Sequence, residues 1–111
     1  MTAAEGKWKD HLSRVEITGG DLGDRTKFYK ALYHVAVQPM IASAVDGGYL
    51  KFPRATPAVT DNPDEPIYTV FSLWDTYRMV HSLLALLYAE RQLGVIRTIV
   101  DMSRSGNPPK W

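Results

Sequence analysis

Apolar residues recur at helical spacing in four stretches of the chain, and polar residues set where each stretch stops. Over residues 3–15, Trp8, Leu12 and Val15 fall at i, i+4 and i+7, which predicts a short helix. Residues 16–18 read as a brief extended piece. Gly19, Gly20, Asp21, Gly23 and Asp24 then read as a loop. The second helix is expected over 27–37, with Asp24 or Thr26 as its N-cap. Phe28, Leu32, Val35 and Ala36 form a stripe, and Tyr29, Tyr33 and Val37 carry it round the cylinder. A helix apolar over that much of its circumference is expected to be mostly buried. His34 lies in that wall, where a packing role is commoner than a role as ligand or base. Pro39 ends or kinks the helix, because a proline steers the residue before it out of the helical region.

Residues 41–45 are too short to separate helix from strand. Asp46-Gly47-Gly48-Tyr49 is a turn signal, and residues 50–52 follow as a strand. Residues 53–66 hold four prolines with Asp61, Asp64 and Glu65, which predicts a loop without regular structure and with solvated charges. The third helix is expected over 73–87. Trp74, Tyr77, His81, Leu84 and Tyr88 mark one side of it, and Leu73, Val80, Leu83 and Leu87 another. The fourth is expected over 90–102, with Leu93, Ile96 and Val100 on its apolar face and Ile99 beside them. Residues 103–111 turn polar and end in a proline pair that stops any helix. The third helix needs neighbours on two sides, and a chain this short offers few. Residues 1–111 therefore read as one partial domain of a larger helical architecture, or as a chain that associates with itself.

Composition narrows the function classes. The 111 residues are 45 % hydrophobic and 23 % charged, ordinary for a globular domain. A net charge of +1 and the lack of a basic run give no reason to expect nucleic acid or an anionic membrane as partner. The absence of cysteine excludes disulfides and thiolate metal sites within the sequence. The first residues lack the apolar core of a signal peptide. The apolar run from 83 to 88 is too short to span a bilayer.

Chemistry concentrates in residues 68–81, which carry four aromatics and the lone carboxylate of Asp75. Ser72 followed by Asp75 is a capping-box pattern that sets the helix start at Ser72. A carboxylate closing such a cap stabilises a helix by about 0.5–2 kcal/mol. A second reading is functional. Trp74 and Tyr77 lie i and i+3 on one face, and Arg78 lies i+3 from Asp75. Aromatic faces that pack on sugar C–H groups, beside an acid that accepts hydroxyl hydrogens, make the floor of a carbohydrate site.

Longer strings carry a resemblance. Lys27-Phe28-Tyr29-Lys30-Ala31-Leu32-Tyr33-His34 is followed by Asp46-Gly47-Gly48-Tyr49 and by Tyr68-Thr69-Val70-Phe71-Ser72-Leu73-Trp74-Asp75-Thr76-Tyr77-Arg78 with His81. With the closing Pro109-Lys110-Trp111, they resemble successive motifs of the glycoside hydrolase family ninety-two alpha-mannosidases. The resemblance runs from Trp8 to Trp111. It implies a mostly α fold with long loops and little strand: a helical hairpin segment, early in an α/α toroid (barrel). It also implies a calcium-dependent, exo-acting, inverting enzyme of N-glycan degradation that releases terminal alpha-linked mannose. The partner implied is a mannose-containing glycan, and the location expected is periplasmic or secreted. Carried over residue by residue, it assigns substrate binding to Trp74 and Asp75, with Arg78 as a further match. Lys30, Ser82 after the histidine, and the lack of a proline near Tyr88-Ala89-Glu90 depart from the family pattern.

The same resemblance places the acid and base carboxylates, and most groups around the calcium, beyond these residues. Inversion needs two carboxyl groups roughly 6.5–9.5 Å apart. Asp46, Asp75 and Asp101 are the candidates within the chain. Asp46 lies in a turn and Asp101 on the solvent side of a helix, so no catalytic pair and no metal ligand is expected here. The alternative is a self-standing helical binding or oligomerisation module without catalysis.

Overall fold

The computed structural model describes residues 2–51, 56–62 and 64–106. They fall into two compact units, within residues 1–37 and 38–111.

The first unit is a pair of helices. α1 spans Ala3–Leu12 and stops short of the expected residue 15. Its start is fixed by a capping box that the hydrophobic pattern did not reveal. Thr2 Oγ1 accepts from the Glu5 amide, and the Glu5 carboxylate accepts from the Thr2 amide at 2.6 Å. α2 spans Leu22–Val37, starting five residues before the expected 27. The cap is neither Asp24 nor Thr26: Asp21 Oδ1 accepts from the Asp24 amide at 2.8 Å. The chain doubles back so that Tyr33 meets Trp8 at 4.7 Å between ring centroids. Tyr29 donates its hydroxyl hydrogen to the Val15 carbonyl at 3.0 Å. Burial falls short of expectation. Only Leu32 and Ala36 of α2 are buried, while Phe28, Tyr33, His34 and Val37 stay exposed.

The second unit combines two short sheets with three helices. β1 (Met40–Ile41) pairs antiparallel with β4 (Tyr68–Thr69), in the register Met40 opposite Thr69. β2 (Gly48–Lys51) pairs antiparallel with β3 (Thr56–Val59). The turn into β2 is made by Asp46, whose Oδ1 accepts from the Gly48 amide, and by Gly47 at φ +81°. β3 corrects the expectation of an irregular 53–66: Pro57 sits opposite Leu50 on a two-stranded edge, where a missing N–H is tolerated. Phe52, Pro53, Pro63 and the closing Pro109-Lys110-Trp111 lie outside the described residues.

The expected helix over 73–87 is two helices. α3 is the single turn Leu73–Thr76 and α4 spans Val80–Leu87, with Met79 at φ −139° between them. α5 follows over Ala89–Arg104, joined at Tyr88, itself buried. The core of this unit is Tyr68, Phe71 and Val95, with Leu73, Ile99 and Met102 packed on it. Leu84 is fully buried. The face of α5 turned inward is Val95 and Thr98. The expected core stripe of Leu93, Ile96 and Val100 stands 41–47 % exposed. Thr98 is at home in the core because both ends of its hydroxyl are used. It donates to the Gly94 carbonyl and accepts from the Tyr68 amide. Gly94 leaves room for the Tyr68 ring: a Cβ there would sit 2.8 Å from Tyr68 Cε2. Among the described residues no helix is long and apolar enough to cross a membrane.

Candidate functional site

The segment that follows β4 is bent sharply. Val70 has φ +57° and Ser72 φ +41°, and Phe71 between them is driven into the core. Such left-handed geometry costs a residue with a Cβ roughly 1–3 kcal/mol and persists only where the surroundings over-determine it. Buried Tyr68 and Phe71 are two of those determinants. α3 then carries Leu73 inward, Trp74 and Asp75 outward, and Thr76 back into the interior.

The capping box expected at Ser72 does not form. An N-cap hydroxyl reaches the helix amides from extended backbone, and Ser72 at φ +41°, ψ +54° makes no side-chain cap bond. Its carbonyl does the capping work, accepting from the Asp75 and Thr76 amides at 2.8 and 3.0 Å. Asp75 is therefore left exposed, and its carboxylate has no partner among the described residues. Trp74 is 78 % exposed and Tyr77 60 %, and their rings lie side by side, 6.3 Å between centroids. Arg78 turns to Tyr77, not to Asp75: its Nε donates to the Tyr77 hydroxyl at 3.2 Å. The structure thus groups an open indole, a phenol held by a guanidinium, and a free carboxylate on one short stretch.

Beneath that stretch lies a polar relay that the sequence pattern gave no reason to single out. Thr76 is 6 % exposed, and its Oγ1 lies 3.2 Å from both the Phe71 and the Ser72 carbonyl oxygens. It also lies 3.0 Å from His81 Nε2 on α4. His81 Nδ1 in turn lies 3.2 Å from the side-chain oxygen Oε1 of Gln92 on α5. Thr76 and His81 both belong to the string that resembles the family, but nothing in it marks them as a bonded pair, and Gln92 reads as an ordinary polar position on a helix.

The other carboxylates considered do not join Asp75. Asp46 is engaged in its own turn. Asp101 lines a separate polar cleft of about 270 Å³ with Tyr49, Lys51, Asp61, Glu65 and Arg97, where Arg97 pairs with Glu65 at 2.8 Å. The donor set does not fit a calcium site. Calcium takes six to eight oxygens, and no three His, Cys, Asp or Glu side chains among the described residues come together to hold an ion. One titration is displaced. Burial pushes the Tyr68 phenol above its ordinary value of 10.0, and the Arg91 guanidinium, 5.7 Å from the ring, opposes it.

Comparison with known proteins then gives the context. Two solved structures of the family GH92 alpha-mannosidase BT3965 from Bacteroides thetaiotaomicron, one in complex with mannoimidazole, resemble the chain at a TM-score of 0.76 and 29 % identity. Each match covers 86 % of this chain and 12 % of that one, so the chain spans about an eighth of its relative's length. No curated protein matches the sequence. The mostly α architecture with short, unclosed strand pairs is that of a segment of such an enzyme. The profile of the glycosyl hydrolase family 92 catalytic domain matches residues 1–111, the whole length, and the chain belongs to that family.

Proposed function

We propose that this chain is the part of an alpha-mannosidase catalytic domain that receives the terminal mannose. The observation that carries the reading is Asp75: an exposed carboxylate, free of any cap, beside an open Trp74 face, in a string that matches the family. An ionised carboxylate accepts two sugar hydroxyls through charge-assisted hydrogen bonds, the stronger kind. Trp74 packs against the C–H face of the ring. Arg78 holds Tyr77 against the same opening and sets its edge. These residues bind; they do not cleave. The acid and base of an inverting hydrolysis, and the calcium that the family implies, are contributed by other parts of the domain. The parent protein acts on mannose-containing glycans, in the periplasm or after secretion.

The 111 residues alone are expected not to hydrolyse aryl alpha-mannosides. Turnover above a protein-free control, abolished by Asp75→Asn, would contradict that division of labour. A second reading, a self-standing oligomerisation module, draws on the exposed Leu86, Leu93, Ile96 and Val100. In the preferred reading the remainder of the helical toroid covers that face. Sedimentation and a thermal melt of the isolated chain separate the two: a discrete oligomer that melts cooperatively favours the module, and ill-defined association favours the segment.

A further inference from the structure

We propose that His81 is a positioning residue for the Trp74–Asp75 turn, acting through the Thr76 hydroxyl with its proton on Nε2. The proposal rests on the reading of that turn as a sugar site, and it adds residues that make no contact with the sugar.

A threonine hydroxyl has one hydrogen to give and two lone pairs to accept with. Thr76 Oγ1 faces three groups: the carbonyls of Phe71 and Ser72, which can only accept, and His81 Nε2. The single hydrogen must go toward the carbonyls. If it went to the imidazole, the hydroxyl oxygen would face two carbonyl oxygens at 3.2 Å with no hydrogen between them. The Ser72 carbonyl already accepts from two amides, whereas the Phe71 carbonyl, in the core, has this hydroxyl as its described partner. Nε2 is therefore the donor to Thr76. With Oε1 facing Nδ1, Gln92 suits an imidazolium directly, and a neutral ring once its amide is turned over. Its amide oxygen accepts from the Nδ1–H of an imidazolium, and its NH2, rotated into place, donates to the Nδ1 of a neutral ring.

What the relay holds is the bend. Val70 and Ser72 sit in left-handed backbone, and the Thr76 hydroxyl ties the end of α3 back to the two carbonyls inside that bend. His81 fixes the hydroxyl's orientation from α4, and Gln92 fixes the ring from α5. Three helices thus meet on one side chain directly below Trp74 and Asp75. Binding groups held to a fraction of an ångström keep their affinity, and loosening them raises KM before it touches the chemistry.

The test uses two amides that copy different nitrogens of the ring. Glutamine places its NH2 near the position of Nε2, and asparagine near that of Nδ1. Nitrogen NMR of the chain should show His81 with hydrogen on Nε2. In a full-length family 92 enzyme carrying the same string, His81→Asn should raise KM for an aryl alpha-mannoside about tenfold with kcat within about twofold. His81→Gln should return KM to within about threefold of wild type. Backbone resonances of residues 72–77 should move in the asparagine variant and stay in the glutamine variant. A neutral ring with hydrogen on Nδ1, or equal effects of the two variants, overturns the proposal. The parallel Asp75→Asn variant separates the two claims. If it leaves KM unchanged while His81→Asn still moves resonances 72–77, the sugar reading fails and only the hold of His81 on the turn survives.

Discussion

Thr2-x-x-Glu5 and Ser72-x-x-Asp75 carry one sequence pattern and fold in two ways. At Thr2 the backbone is extended, φ −73° and ψ 158°, and both reciprocal bonds of a capping box form. At Ser72 the backbone is left-handed and neither forms. The difference lies in what holds each residue. At Thr2 the described bonds are local, the reciprocal pair with Glu5. Ser72 follows a strand residue, Tyr68, and a buried Phe71, both fixed by the core, so tertiary packing sets its φ and local chemistry yields. Chain length adds to this, since aspartate is one methylene shorter than glutamate and reaches back less well. The consequence is chemical. Glu5 spends its carboxylate on its helix, whereas the Asp75 carboxylate stays exposed and without a partner among the described residues.

The comparison breaks most readily at the packing that imposes the bend. Gly94→Ala drives a methyl into the Tyr68 ring, and overpacking of this kind costs about 1–3 kcal/mol. The higher helix propensity of alanine returns up to about 1 kcal/mol, so a net loss of stability is expected in a thermal or denaturant melt. Thr2→Ala should cost about 1 kcal/mol by removing a working cap, with sugar affinity untouched. Ser72→Gly should act in the opposite sense. Glycine relieves a left-handed position at no loss of cap, for a gain of up to about 1 kcal/mol, where a true N-cap would lose a few tenths. A smaller effect appears with pH. The folded Tyr68 phenol keeps its proton to higher pH than the unfolded one, so its contribution is full below about 10 and is lost as pH rises through the folded value. Tyr68→Phe should flatten that alkaline decline in melting temperature, and an unchanged slope would show that Tyr68 is not its source.

Helix content was largely legible because α2 and α5 have long periodic stripes, and the candidate site stood out by its aromatics. Orientation was not. Leu93, Ile96 and Val100 have the spacing of a core face, yet α5 turns Val95 and Thr98 inward. A buried threonine with both bonds made looks polar in sequence and behaves as core. The apolar stripe it displaces belongs to a chain spanning 12 % of its relative's length. The break at residues 77–79 was hidden because the apolar rhythm runs through it. β3 was hidden by Pro57, which signals a loop unless its edge position is known. The strain at Val70 and Ser72 has no local sequence signature, since neither residue favours left-handed backbone.

The central claim is that Asp75 grips the sugar and does not cap the helix. Asp75→Asn in a full-length family 92 enzyme with the same string tests it in one pair of measurements. Asp75 makes no cap bond and asparagine is nearly isosteric with it, so helix stability is preserved while the charge is lost. The expected result is a fall in kcat/KM on an aryl alpha-mannoside of at least about tenfold, or about 1.4 kcal/mol, with a melting temperature nearly that of wild type. Unchanged kinetics, with or without a lowered melting temperature, would contradict it and return Asp75 to the surface of an ordinary helix.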